Sequence, residues 1–240
     1  MNEIYLNMQR KFYNDCTINV EKDIVGYPEY NFRIPYETLL LYKDGDIRYP
    51  LFPYIMSDYK ALDYGCGPGR MVQRMSKFIH MCDGVDISTR LIEIAKKETT
   101  SNSLFFVTKG DGCNTPFREH YNLVFSTLCL QHIPVRSLRK QIMHSCYEVL
   151  KRGGKAVFQM LFNFKGTIPP EHRDWFAEYT DAPATNSAHD VHITKETLSV
   201  ALADLGEKFE RTSFWFSRDW YTDQMLPEGC SMVFLCGEKS

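Results

Sequence analysis

Three glycines at alternate positions, Gly65, Gly67 and Gly69, follow the apolar run Ala61-Leu62-Asp63-Tyr64. A strand that runs into such a cluster lets bare main chain approach a ligand, because side chains there would collide with whatever lies over the strand's carboxyl end. In the dinucleotide-binding spacing G-x-G-x-x-G a pyrophosphate sits on the helix N-terminus. Here Arg70 stands where that pattern wants its third glycine, which weakens the phosphate reading without removing it. Asp86 lies 17 residues after Gly69, where a carboxylate can accept from both hydroxyls of a ribose. Asp111, in Gly110-Asp111-Gly112, offers a second acceptor, suited to an exocyclic amine such as N6 of adenine. His132, in the run LCLQHIP, is the best-placed proton acceptor, since imidazole ordinarily titrates near neutrality; a turn that only caps the next helix is the competing reading. His189-Asp190-Val191-His192 has two histidines three apart and no third ligand at fixed spacing, so a substrate-facing or solvated role outweighs a metal there. Arg33 and Arg70 are candidates for an anionic substrate group and equally for surface charge.

These residues need a scaffold that presents loop ends together. From Lys60 onward short apolar runs alternate with amphipathic segments, the pattern of βα units on a parallel sheet. Strands are expected at residues 61–64, 83–86, 104–108, 121–126, 155–161, 211–216 and 231–236. One helix carries Met71, Val72, Met75, Phe78 and Ile79 on a face, and a second, capped by Ser88, carries Leu91, Ile92, Ile94 and Ala95. A third starts at Pro134, aligns Val135, Leu138, Ile142, Val149 and Leu150, and stops at Gly153-Gly154. A fourth, capped by Thr194, carries Leu198, Ala201, Leu202 and Leu205 and closes at Gly206. Regularity lapses between residues 163 and 193, which read as an insertion with one short helix near 171–179.

The chain of 240 residues favours one large domain. With 28 Lys plus Arg against 30 Asp plus Glu, the net charge of −2 supplies no broad cationic field for nucleic acid or an anionic membrane. The 44% hydrophobic and 14% aromatic content is enough for a sizeable core. No apolar run approaches the length of a membrane span, and Met1-Asn2-Glu3 does not open a signal peptide, so a cytoplasmic location is expected. Eight cysteines without C-x-x-C spacing, mostly inside apolar segments, read as reduced packing residues with no metal.

Four segments together carry a family resemblance. ALDYGCGPGR (61–70), GVDIS (84–88), GDGCNTPF (110–117) and LKRGGKAVF (150–158) resemble, in order and spacing, successive motifs of the class I S-adenosylmethionine-dependent methyltransferases. The resemblance implies a Rossmann-like α/β fold with a doubly wound, seven-stranded, mostly parallel sheet. Residues 1–57 would form an N-terminal cap, and 58–240 the cofactor-binding domain, with its insertion at about 163–193 after strand five. It implies that Gly65, Gly67 and Gly69 line S-adenosyl-L-methionine and that Asp63 organises the loop or meets the amino group. Asp86 would hold the ribose, Ile87 pack on adenine, and Asp111, Gly112 and Cys113 meet the ring edge. Thr127 and Leu128 would flank the sulfonium. His132 is the expected catalytic base for a small-molecule acceptor, a hydroxyl of a sugar or other polar metabolite. His172, Trp175, Tyr179, His189 and His192 of the insertion and Tyr27, Tyr30, Phe32 and Tyr36 of the cap would cover that acceptor. Neither nucleic acid nor membrane is expected as a partner, and oligomeric state stays open. The rivals are N- or C-methylation on the same fold, a nicotinamide-dinucleotide oxidoreductase, and a catalytically silent cofactor-binding protein.

Overall fold

A computed structural model describes residues 2–16, 57–99, 101–166, 176–179, 190–216 and 230–240. Tyr27, Tyr30, Phe32, Arg33 and Tyr36 of the cap, and His172, Trp175 and His189 of the insertion, lie outside them. The elements in chain order are α1 (Asn2–Asp15), β1 (Lys60–Tyr64), α2 (Arg70–Met75), β2 (Met81–Asp86), α3 (Thr89–Glu98), β3 (Phe105–Val107) and β4 (Tyr121–Ser126). A 3-10 turn (Leu130–His132) leads to α4 (Arg136–Val149), β5 (Leu150–Asn163), β6 (Phe176–Glu178) and β7 (Asp190–Ile193). The chain closes with α5 (Lys195–Gly206), β8 (Arg211–Phe216) and β9 (Cys230–Glu238).

The strands form one sheet ordered β3-β2-β1-β4-β5, continued by β9 and β8. Pairing is parallel from β3 to β5, and β9 runs against both its neighbours. That is the seven-stranded, mostly parallel arrangement expected, with two short strands added. β4 pairs with β5 only as far as Phe158, and β9 occupies the opposite edge of β5 through Asn163. β7 therefore takes up the edge that β4 vacates, pairing at Leu161 and Phe162, and β6 lies outside it.

Burial explains most of the elements. Ala156 to Phe162 are buried on both faces of β5, the signature of a central strand. Alternate residues feed two cores. Phe158, Met160 and Phe162 meet Leu138, Ile142 and Cys146 of α4, while Val157 and Leu161 meet Met75, Phe125 and Phe234. Full burial of each such side chain stabilises by about 1.5–3 kcal/mol. Ser88 caps α3 by accepting from the Leu91 amide, and Leu91, Ile92 and Ala95 form its buried face, with Ile94 only half-buried. Thr194 and Thr197 form a reciprocal capping box on α5.

Several boundaries differ from the sequence reading. α2 ends at Met75, so the helical face never reaches Phe78, which is exposed. α4 begins at Arg136, leaving Pro134 ahead of its cap. Gly153-Gly154 does not stop that helix. The chain turns extended at Leu150, and the glycine pair sits within β5, where the register against β4 shifts and Gly153 takes φ +75°. In the insertion, residues 176–178 form a strand rather than a helix, and β7 was not expected.

Candidate active site

β1, β2 and β4 run parallel and their carboxyl ends open together, so the loops that follow them surround one crevice. There lies a cavity of about 330 Å³. Its floor is the loop after β1. The amides of Gly65 and Cys66 donate to Val85 O at 2.8 and 3.0 Å, which folds the loop back over β2. Gly65 and Gly67 take φ of +78° and +52°, the left-handed region open to glycine at little cost. At Gly65 a Cβ would fall 2.5 Å from that of Cys129, so loop and β4 turn approach within a distance only glycine permits.

Two buried carboxylates flank the loop. Asp86, at the end of β2, accepts from the Gly67 amide at 2.9 Å through Oδ2 and from the Ser88 amide at 2.8 Å through Oδ1. One side chain thus shapes the glycine loop and the start of α3. Burial raises its carboxyl above the ordinary range, and the amides of Ser88, Gly67 and Ile87 oppose that shift. Asp63 near the end of β1 is 2% exposed, and its Oδ1 has no hydrogen-bond partner. Burial, and then the negative charge of Asp86, push its carboxyl well above the usual range, against a smaller pull from Arg70.

The third wall is the turn after β4. Leu128 adopts φ +52°, uncommon for a branched side chain, and its amide donates to Gln159 Oε1 at 2.9 Å. His132 closes the 3-10 turn, lines the cavity, and faces Asp190 Oδ1 through Nδ1 at 2.5 Å. Across the mouth lies α1, contributing Tyr5, Gln9 and Tyr13. The Tyr5 hydroxyl donates to His132 O at 2.9 Å, and Ser88 Oγ donates to Asn14 Oδ1 at 2.7 Å.

Residues 62–158 match the family model described as a methyltransferase domain. Over that segment the chain is similar to methyltransferase domains, and its fold is the Rossmann-like one of solved methyltransferases. Among its relatives, the alpha N-terminal protein methyltransferase 1 of Schizosaccharomyces pombe is 26% identical over 111 residues, 46% of this chain and 51% of that protein. The ubiquinone biosynthesis O-methyltransferase of Shewanella sp. is 25% identical over 105 residues, 42% of this chain and 43% of that protein. The chain thus spans about half the length of these curated relatives. The crystal structure of geranyl diphosphate C-methyltransferase from Streptomyces coelicolor, in complex with Mg2+, geranyl diphosphate and S-adenosyl-L-homocysteine, superimposes with a TM-score of 0.62. It covers 98% of each chain at 12% identity, a likeness of fold.

Within the matched segment Asp63, Gly65, Gly67, Asp86, Ile87, Thr127, Leu128 and His132 line one cavity. Gly69, Asp111, Gly112 and Cys113 are not among the residues that line it. A Cβ on Gly69 would press on Thr99 and Ala95 of the next helix, so that glycine serves helix packing. Gly112 and Cys113 turn toward α4: a Cβ on Gly112 would meet Ser145, the Cys113 amide donates to Ser145 Oγ at 2.8 Å, and Cys113 Sγ lies 3.5 Å from Cys146 Sγ in full burial. Thr108 and Gly110 represent this loop in the cavity instead. Tyr5, Gln9 and Tyr13 escaped the sequence reading, and so did Asp190 as the partner of His132. Their one signal was the half-apolar periodicity of residues 2–15, with Tyr5 and Gln9 four apart on the buried side.

The seven cysteines whose side chains are described are free thiols. Among the described residues no group of three or more His, Cys, Asp or Glu side chains is placed to hold a metal ion, and no helix is long and apolar enough to cross a membrane.

Proposed function

We propose that this chain transfers a methyl group from S-adenosylmethionine to a hydroxyl of a small polar molecule, with a sugar hydroxyl as the first candidate. The observation that carries the cofactor part is Asp63 Oδ1, a buried carboxylate oxygen without a partner beside bare glycine backbone. An unsatisfied buried acceptor is costly, about 1–3 kcal/mol and more for a charged group, and a ligand ammonium removes that cost. The amino-acid end of S-adenosylmethionine brings such an ammonium.

When bound, the cofactor supplies a methyl carbon on a positively charged sulfur that leaves as a neutral thioether. The protein's residues supply placement. Asp63 takes the ammonium, and Asp86, whose oxygens keep acceptor capacity beyond the Gly67 and Ser88 amides, takes the ribose hydroxyls. Ile87 and Leu91 offer apolar surface to the base. Holding the reactants in line can contribute about 7–11 kcal/mol to the lowering of the barrier. A hydroxyl acceptor must also lose its proton, and His132, on the cavity wall, is the group to receive it. This favours oxygen over an unprotonated amine or a carbon acceptor. The relatives' names span oxygen, nitrogen and carbon acceptors and so leave that choice to the site.

Isothermal titration with S-adenosylhomocysteine and with NAD tests the cofactor: micromolar or tighter binding of the first and none of the second is expected. Binding of NAD alone would overturn the reading. A screen of hydroxylated acceptors with methyl-labelled cofactor then tests the acceptor, with label recovered as a methyl ether.

A further inference from the structure

We infer that Asp190, in the insertion, is a positioning residue that keeps the His132 proton on Nδ1 and so reserves Nε2 as the proton acceptor. This rests on the proposed hydroxyl methylation for its purpose, though not for its geometry. Asp190 and His132 are 58 residues apart in sequence and belong to different elements, yet Nδ1 and Oδ1 stand 2.5 Å apart. The sheet explains the meeting. β7 takes the edge of β5 beyond the last β4 pair, so its first residue, Asp190, arrives beside the turn that β4 feeds. Arg139 of α4 locks the two parts together. Its guanidinium donates to Ile133 O, the residue after His132, and to Tyr179 O, just past β6, each at 2.5 Å. Tyr5 holds the His132 carbonyl from the other side. With turn and strand both fixed, a carboxylate facing one ring nitrogen selects the tautomer that donates to it.

The other ionisable groups near the pair come from three elements. Tyr5 and Tyr13 are on α1, Cys129 precedes the turn, and Arg139 is on α4; Tyr13 is close enough to Asp190 for that carboxylate to disfavour its ionisation. Burial is the largest cause that holds both tyrosines and Cys129 in their protonated forms. Arg139 is spent on carbonyls. Asp190 is thus the anion in direct contact with the ring. In the step it serves, the acceptor O–H bond breaks with its proton passing to Nε2 while the oxygen's electron pair forms the new bond to the methyl carbon. The carbon–sulfur electron pair stays on sulfur. The imidazolium, stabilised by Asp190, then returns its proton to water.

Long-range 1H–15N NMR of the full chain with labelled histidine reads the tautomer directly, with the His132 signals assigned by their loss in His132→Gln. The unprotonated, pyridine-like nitrogen of neutral His132 is expected to be Nε2 in the wild type. In Asp190→Ala the preference should move toward the Nε2–H form that free imidazole favours, and Asp190→Glu should restore part of it. A pyridine-like Nδ1 in the wild type, or no change in Asp190→Ala, would overturn the inference. Should Asp190→Ala fail to fold, the wild-type spectrum still decides. Titration with S-adenosylhomocysteine separates this from the functional proposal. Wild-type protein that shows the Nδ1–H tautomer but binds no S-adenosylhomocysteine keeps the pair and loses the methyltransfer. An Asp190→Ala protein that melts cooperatively but no longer binds S-adenosylhomocysteine shows that Asp190 shapes the cavity itself and overturns the positioning role.

Discussion

Asp63 is the cavity carboxyl that its surroundings raise most. Its carboxyl is raised by burial and by Asp86, so above the ordinary carboxylate range it stays protonated in the folded, ligand-free protein. The fold gains from that neutral form below the ordinary range and loses the gain as pH rises through the raised value. A ligand ammonium beside Oδ1 reverses the preference and drives the proton off. Affinity for S-adenosylhomocysteine should therefore rise with pH across that window, with proton release visible as buffer-dependent heats in calorimetry. Asp63→Asn should abolish the buffer dependence and weaken binding; an unchanged dependence would assign the proton elsewhere. The two left-handed glycines of the loop separate strain from collision. Gly67→Ala meets nothing within 4 Å and should cost about 1–2 kcal/mol for its backbone alone. Gly65→Ala must also displace Cys129, so its melting temperature should fall further and ligand binding should be lost.

Among the elements, the start of α3 joins two parts of the site. Ser88 Oγ accepts from the Leu91 amide and donates to Asn14 Oδ1, so one hydroxyl caps α3 and anchors the end of α1. Ser88→Ala should cost about 1 kcal/mol, seen as a fall of about 2–4 °C in the melt, with faster proteolysis within residues 2–16. If α1 keeps its protection, the anchor lies elsewhere. The sequence made β1, β2 and β4 legible because each is a short buried run ending at a glycine or a polar residue that a ligand can use. It misled at Gly153-Gly154, since a glycine pair after a helical stretch reads as a stop and a bulge inside a strand has the same local spelling. β6 and β7, three and four residues long, carry too little periodicity to be read. Asp190 could not be matched to His132, because that pairing is set by which edge of β5 stays open and not by any local pattern.

For the molecule as a whole, α4 and α5 are tied by charge. Arg136 forks onto both oxygens of Asp204, at 2.9 and 2.7 Å, and Asp204 is almost fully buried. Lys140 is a weaker second partner at 3.9 Å. Arg136→Met would leave a buried carboxylate with that distant cation and should cost about 3 kcal/mol in chemical denaturation. Arg136→Met combined with Asp204→Leu should recover most of the loss; no recovery would mean that packing, not charge, holds the helices.

The Tyr5 hydroxyl and the His132 carbonyl are separated by 127 positions in the chain. Residues 2–15 leave the ribosome long before the backbone they rest on exists, and closing so long a loop is slow compared with local helix and strand formation. α1 can therefore dock on this turn only once the chain has been made as far as His132.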